Sequence, residues 1–503
     1  MKRLTLLVAI GAVVLAVGVS ALGWGAATKP SGSPDPGSVA RASGSVNPTG
    51  GPSAEPDGSA DAPPPASQPP VDAPLADVPI VPVAQYRTTV GAIGRDDIRA
   101  ILAGTSATWD GLELVSREAD AILAGLGVER PASDAHLVLA KSAAKVTTDL
   151  AAHRKRLAVL RADAVGPGVR ALGWGNRQLF GVDAVKTVAA WGLTASLPQR
   201  SDTPIFEPAT SWTLVAGGDI MLDRGVAETL KIKGKGADFP FDGGTADITS
   251  RYCCSSFGWE LPRLNRAGDT GAMRHLIASA DIAIANFENP APNVFRYHTS
   301  GTVFSADPKL IAGLAKAGID WVGLANNHIG DAGRNGILQT IANLKKHGIR
   351  SSGAGKNITA ARKPAILEAG DVRVAFLAYD TIAGSYTAGS EKAGSARLSK
   401  SVVKADIRAA RKAGADVVIV FPHWGTEYDP TPFAGQQTLA RTAIDAGADM
   451  VIGNHAHWAG AMEVYDGKPI WYALGNFVFD QTWSEPTMEG LTLELTFRGP
   501  TLV

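Results

Sequence analysis

Trp212-Thr213-Leu214-Val215-Ala216-Gly217-Gly218-Asp219-Ile220-Met221 is an apolar run of strand length that stops at a glycine pair and delivers a carboxylate. The same grammar returns four times further along the chain. Ile282 to Ala285 leads into Asn286-Phe287-Glu288-Asn289, and Trp321 to Leu324 leads into Ala325-Asn326-Asn327-His328. Val417 to Phe421 leads into Pro422-His423-Trp424-Gly425, and Met450 to Ile452 into Gly453-Asn454-His455-Ala456-His457. Val372 to Ala378 and Ile470 to Leu474 are further apolar runs, and helical patterns fill Pro308 to Ala317, Gly336 to His347 and Val402 to Ala413. Strands alternating with helices predict an α/β sheet with helices packed on it. In such a sheet, polar residues at the carboxyl ends of the strands converge on a ligand crevice.

The residues delivered there are metal-type ligands. Four of the nine histidines, His328, His423, His455 and His457, directly follow predicted strands. Singly, each would read as an ordinary hydrogen-bonded histidine; as an ordered set with Asp219, Glu288 and Asn327 they fit a site for two divalent metals. Carboxylates neutralise the paired charge, neutral imidazoles and an Asn carbonyl complete the coordination, and one carboxylate can bridge ions about 3.5–4 Å apart. Mn, Fe and Zn all suit this donor set.

Six segments together resemble the CapA family of bacterial capsule synthesis proteins, associated with poly-γ-glutamate, whose domain is similar to calcineurin-like metallophosphoesterases. They are Gly218-Asp219-Ile220-Met221-Leu222, Asn286-Phe287-Glu288, Asn326-Asn327-His328, His423 to Tyr428, Gly453 to His457, and Gly475-Asn476-Phe477-Val478-Phe479-Asp480. They run in the family's order from Thr213 to Asp480. The resemblance implies a metallophosphoesterase-like α/β sandwich. It also implies roles: Asp219 and His457 on a first metal, Asn327, His423 and His455 on a second, Glu288 in the bridging place, and His328 as the acid beside a leaving group. Two positions depart from the metallophosphoesterase pattern. Met221 stands where that pattern has His, and Glu288 replaces a shorter Asp, so the expectation is a weakened first site with a single metal bound and hydrolysis in doubt. Both departures belong to the capsule family's own pattern. The resemblance further implies an anionic polymer such as poly-γ-glutamate as ligand and membrane subunits of a capsule synthesis complex as partners.

Around these ligands, Asn286, Asn326, Asn476 and Asp480 are expected to support the site or meet substrate, and Glu427 and Tyr428 to orient His423 or touch substrate. Asp223 and Arg224 read either as a helix-start cap or as an anion-binding pair. Trp424 and Trp458 read either as groove lining or as packing.

The rest of the chain sets placement. Of 503 residues, 48 are basic and 48 acidic, so the strong basic footprint of a nucleic-acid binder is missing. Lys2-Arg3 precede an uncharged apolar run to Thr28, which reads as a transmembrane anchor or a cleaved signal peptide over 1–28. Either reading puts the remainder at the extracytoplasmic face of the cell membrane, or in the secreted fraction after cleavage. Residues 29–82, rich in Pro, Ser, Gly and Ala, read as a disordered, partly extended linker. Residues 83–200 read as a small α/β domain, with helices over Asp96 to Leu102 and Leu112 to Leu126 and a strand at Leu137-Val138-Leu139. A short segment from Arg95 to Gly104 resembles periplasmic phosphate-binding proteins. Residues 211–503 form the site-bearing domain. Cys253-Cys254, the only cysteines, are expected to pair as a vicinal disulfide in an oxidising compartment.

Overall fold

The structure is a computed structural model that describes residues 73–201, 203–242, 246–253, 260–266 and 271–503. The expected anchor or signal at 1–28 and most of the expected linker lie outside the described residues. Among the described residues no helix is long and apolar enough to cross a membrane.

The amino-terminal domain starts earlier than its composition suggests. Strand β1, Leu75–Gln85, occupies the last part of the stretch read as linker. Pro79 and Pro82 argue against a strand there, yet Val78, Ile80, Val81 and Val83 are fully buried. Their burial outweighs the proline signal. β1 pairs antiparallel with β4 (Arg156–Arg161), β5 (Val169–Ala171) and β6 (Thr194–Pro198). The sheet continues from β4 through parallel β2 (Gly111–Val115) to β3 (Leu137–Ala140). Helix α1 (Arg95–Leu102) falls where its periodicity predicts. The second expected helix is corrected: Gly111–Val115 is strand β2, and only Ala119–Leu126 is helix, α2, ended by Gly127 at φ 66°. A short apolar run buried on both faces carries no periodicity that separates strand from helix.

Glu113 lies on β2 with its side chain fully buried, 3.4 Å from the Arg156 guanidinium. Burial, with the Asp149 carboxylate next, pushes its pKa up to about 7 from 4.5. Folding therefore favours the protonated acid. This contribution is complete below about pH 4.5 and is lost as pH rises through about 7. Glu113→Gln should flatten that decline; thermal unfolding at pH 5 and pH 8 measures it, and equal slopes for variant and wild type would refute the assignment.

The larger domain is two sheets face to face with helices outside. The first has the order β10-β9-β8-β7-β18, comprising β7 (Ser211–Ile220), β8 (Ile282–Phe287), β9 (Trp321–Gly323), β10 (Arg350–Ser352) and β18 (Leu493–Arg498), with β17 (Asn476–Val478) also pairing β7. The second has the order β11-β12-β13-β14-β16-β15. Its strands are β11 (Ala365–Ala369), β12 (Val372–Asp380), β13 (Val417–His423), β14 (Met450–Ile452), β15 (Met462–Tyr465) and β16 (Lys468–Trp471). Strand alternation builds three apolar layers. Leu214, Ala216, Ile284 and Trp321 meet Phe376, Ile419 and Phe421 between the sheets. Val215, Ala283 and Val322 face outward toward α3 (Ile311–Ala317) and α4 (Gly333–Lys346). Ala375, Val418 and Val451 face outward toward α5 (Lys400–Lys412) and α6 (Ala434–Asp445). β7, β8 and β9 run parallel, as do β12, β13 and β14, so their carboxyl ends share one edge.

The two domains touch at two places. Arg87 donates to the carbonyls of Ala459 and Gly460, and the Val182 N–H donates to Glu494 Oε1 at 2.7 Å. Cys253 is disulfide-bonded; its sequence neighbour Cys254 lies outside the described residues.

Candidate metal centre

Asp219 emerges from β7, Glu288 from β8, His423 from β13, and His455 and His457 from the turn after β14. All five are buried. His455 and His457 sit at φ 93° and 56°, the left-handed region, which costs non-glycine residues of order 1–3 kcal/mol each. That bend lets two histidines two apart reach the same centre, each in a triad that includes Glu288. Glu288, His423 and His455 form one ligand triad, and Asp219, Glu288 and His457 a second; within each, ligand atoms lie within 4.8 Å of one another. Glu288 belongs to both. Its Oε1 is 3.6 Å from His423 Nε2 and 3.8 Å from His457 Nε2.

Neither carboxylate oxygen of Glu288 has a hydrogen-bond partner, although both are buried. Leaving buried acceptors unsatisfied is costly. His455 Nδ1 and His423 Nε2 face each other at 3.1 Å, so two nitrogens converge with those oxygens on one point. Two overlapping triads, orphaned carboxylate oxygens and imidazole nitrogens turned together fit divalent cations. Burial pushes Glu288 well above the usual carboxylate range, with the Asp219 charge adding to it. Burial also raises Asp219 to about 7, and lowers His455 to about 4 and His457 to about 3. Neutral imidazole is the ligand form, so these histidines enter coordination without giving up a proton.

The surrounding amides hold this geometry. Asn286 donates to Asp219 Oδ1 at 2.8 Å, and Asn326 donates to the Phe287 carbonyl at 2.8 Å and to Asn286 Oδ1 at 3.3 Å. Asn476 Oδ1 sits 2.9 Å from His457 Nδ1, leaving Nε2 facing Glu288; that is the usual carbonyl support of a ligating histidine. Asn327 Oδ1 is 2.7 Å from His423 Nε2, within reach of the triad of Glu288, His423 and His455. Met221 is buried, with Sδ 3.0 Å from the Asp223 N–H, and adds no ligand.

His328 stands at the rim, Nε2 4.0 Å from Glu288 Oε1. Its Nδ1 lies 2.9 Å from Asp331 Oδ2. The sequence reading missed Asp331, although its place three residues after His328 in a glycine turn was the available signal. A second pair it missed is His298 with Asp223, 75 residues apart. Asp480 is not at the ligands; it pairs with Arg224 and accepts the Gly225 N–H at 2.9 Å. Tyr428 lies 6.0 Å from the His457 ring, its hydroxyl accepting from Gln481, while Glu427 is exposed and reaches the site only through its charge. Trp424 is core: its indole N–H donates to the Tyr472 carbonyl at 2.9 Å.

The chain is 34% identical over 232 residues to the capsule biosynthesis protein CapA of Bacillus anthracis, covering 44% of this chain and 56% of that protein. It is 31% identical over 212 residues to the PGA biosynthesis protein CapA of Bacillus subtilis, covering 42% and 56%. The chain thus spans little more than half the length of these relatives. Among solved structures, the calcineurin-like phosphoesterase YfkN of Bacillus subtilis is similar at 14% identity and a TM-score of 0.27, over 50% of this chain and 73% of that one. The family model for the bacterial capsule synthesis protein PGA_cap matches residues 213–481, the whole reach from β7 through the metal centre to Gln481, and the chain belongs to that family.

Proposed function

We propose that this chain acts in the production or export of an anionic capsule polymer such as poly-γ-glutamate, at the outer face of the cell membrane, through a metallophosphoesterase-like metal centre. The observation that carries it is the pair of buried triads sharing Glu288 with the Asp331-held His328 beside them. Asp219, Glu288 and His457 would hold one cation, and Glu288, His423, His455 and Asn327 the other. Such cations supply Lewis-acid polarisation of a phosphoryl or carbonyl oxygen and acidify water. The chain's own part is protonic and steric. Asp331 fixes the His328 ring so that Nε2 exchanges a proton with the leaving group, while Asn286, Asn326 and Asn476 keep the ligands from swinging out. The charge-free run after Lys2-Arg3 supports membrane attachment, and family membership supports the polymer.

A phosphoester and poly-γ-glutamate hydrolysis screen on the full chain, with metal analysis, tests this reading. His328→Ala should keep its metal and lose roughly 10²–10⁴-fold in turnover. Turnover independent of His328, or a chain that takes up no divalent metal, would sink the hydrolytic reading. The absence of a ligand at Met221 favours one alternative, a non-catalytic polymer-binding module. Metal uptake and polymer retention without turnover would select it.

A further inference from the structure

We infer that Arg224 holds an oxyanion of the substrate, a carboxylate or a phosphoryl group, against the metal centre; the inference rests on the metal-centre reading above. Arg224 is a non-glycine residue at φ 47°, a strained backbone that is fastened in place from outside. Asp223 does the fastening: its carboxylate accepts the N–H groups of Arg224, His298 and Ser305 at 2.8, 3.0 and 2.7 Å and meets His298 Nδ1 at 2.5 Å. Asp223 is thus the structural member of the pair, and Arg224 is the member it aims.

The guanidinium lies over two rings, 4.9 Å from the centroid of Phe304 and 5.8 Å from that of Phe479. Those rings flank the site: Phe304 packs on His328 at 4.2 Å and Phe479 on His457 at 4.8 Å. Arg224 is therefore one aromatic ring away from the proposed proton donor and one ring away from a ligand. Its positive charge is felt by Glu288, His457 and Tyr428.

The hydrogen-bond account leaves a gap. Nη1 donates to the Gly301 carbonyl at 2.7 Å and Nη2 to Asp480 Oδ1, while Nε is buried with no acceptor. A loop clamp needs only the first two contacts and would leave the third donor stranded, which is costly for a buried group. The orphaned donor belongs to the guanidinium that lies over the rings packed on His328 and His457, and the Glu288 acceptors are orphaned at the centre those histidines border. Cations complete Glu288, and an oxyanion attached to them would complete Arg224. The planar guanidinium fork matches carboxylate and phosphoryl oxygens better than the ammonium of a lysine does.

The test is calorimetric titration of the full chain, with and without added Mn²⁺, using inorganic phosphate in one arm and glutarate in the other. The arm that binds identifies which oxyanion the site takes. Arg224→Gln should weaken that anion roughly 10- to 100-fold with metal content unchanged, and Arg224→Lys should recover only part of it. Asp480→Asn separates the two roles. It removes the ion pair, though the amide oxygen can still accept from Nη2, and leaves the cation less neutralised, so anion affinity should hold or tighten. An Asp480→Asn variant as weak as Arg224→Gln, or an Arg224→Gln variant within twofold of wild type, would overturn the inference. A wild-type chain that takes up none of Mn²⁺, Fe²⁺ and Zn²⁺ would fell the proposed function separately, and Arg224 would then be judged on the metal-free titrations.

Discussion

Glu288→Gln should reduce divalent-metal affinity by roughly 100-fold or more, a larger loss than substitution of any other residue at the centre. Supporting residues around metal sites typically cost 10- to 100-fold, and Glu288 is a shared ligand rather than a support. It alone belongs to both triads, and its two oxygens have no other partner. Replacing the carboxylate with an amide of nearly the same shape removes the anionic donor from both positions. The same substitution should not harm the metal-free fold. Burial holds the Glu288 carboxyl well above its usual range, so ionising it as pH rises works against the folded, metal-free state. At pH 8 the metal-free variant should therefore melt no lower than metal-free wild type, while metal should raise the melting point of wild type alone. Plasma emission analysis of dialysed protein and paired thermal scans give both readouts. Retained metal in the variant would show that Glu288 is not the shared ligand.

The ligands were legible because of where they sit. Parallel strands buried on both faces read as unbroken apolar runs, and Asp219, Glu288, His423 and the His455-Ala456-His457 turn each stand where such a run stops. Their mutual geometry was not legible. The left-handed backbone at His455 and His457 has no marker in residue type, because glycine, the usual sign of positive φ, is absent at both positions. Contacts made by crossing loops were equally hidden: Asp223 meets His298 and Ser305, and Arg224 meets Gly301 and Asp480, through chain segments that share no pattern. In the smaller domain, composition misplaced β1, because two prolines in eleven residues look like linker until the burial of Ile80 and Val81 is known.

Gly218→Ala should cost the larger domain about 4 kcal/mol or more, or prevent its folding, and should disturb the metal centre in the molecules that do fold. A Cβ built on Gly218 would lie 1.9 Å from the Gly475 carbonyl oxygen, an overlap with main chain rather than with a movable side chain. The closeness is structural: the Asp219 N–H donates to that same carbonyl at 3.0 Å, and β17 begins at the next residue, Asn476, opposite Asp219. Relief of the overlap would push Gly475 and Asn476 outward, and Asn476 is the residue whose carbonyl oxygen steadies His457. One methyl group would thus strain the β7–β17 junction and loosen a ligand together. Gly217→Ala is the comparison, since the nearest atoms to a Cβ there belong to the Phe477 ring, at 2.4 Å, and a ring can be displaced where a peptide cannot. Denaturant unfolding should rank wild type above Gly217→Ala and Gly217→Ala above Gly218→Ala, with metal content following the same order. A Gly218→Ala chain that unfolds with wild-type stability and keeps its metal would mean that β7 and the Gly475 turn have room to part, and the coupling of glycine pair to ligand set would be wrong.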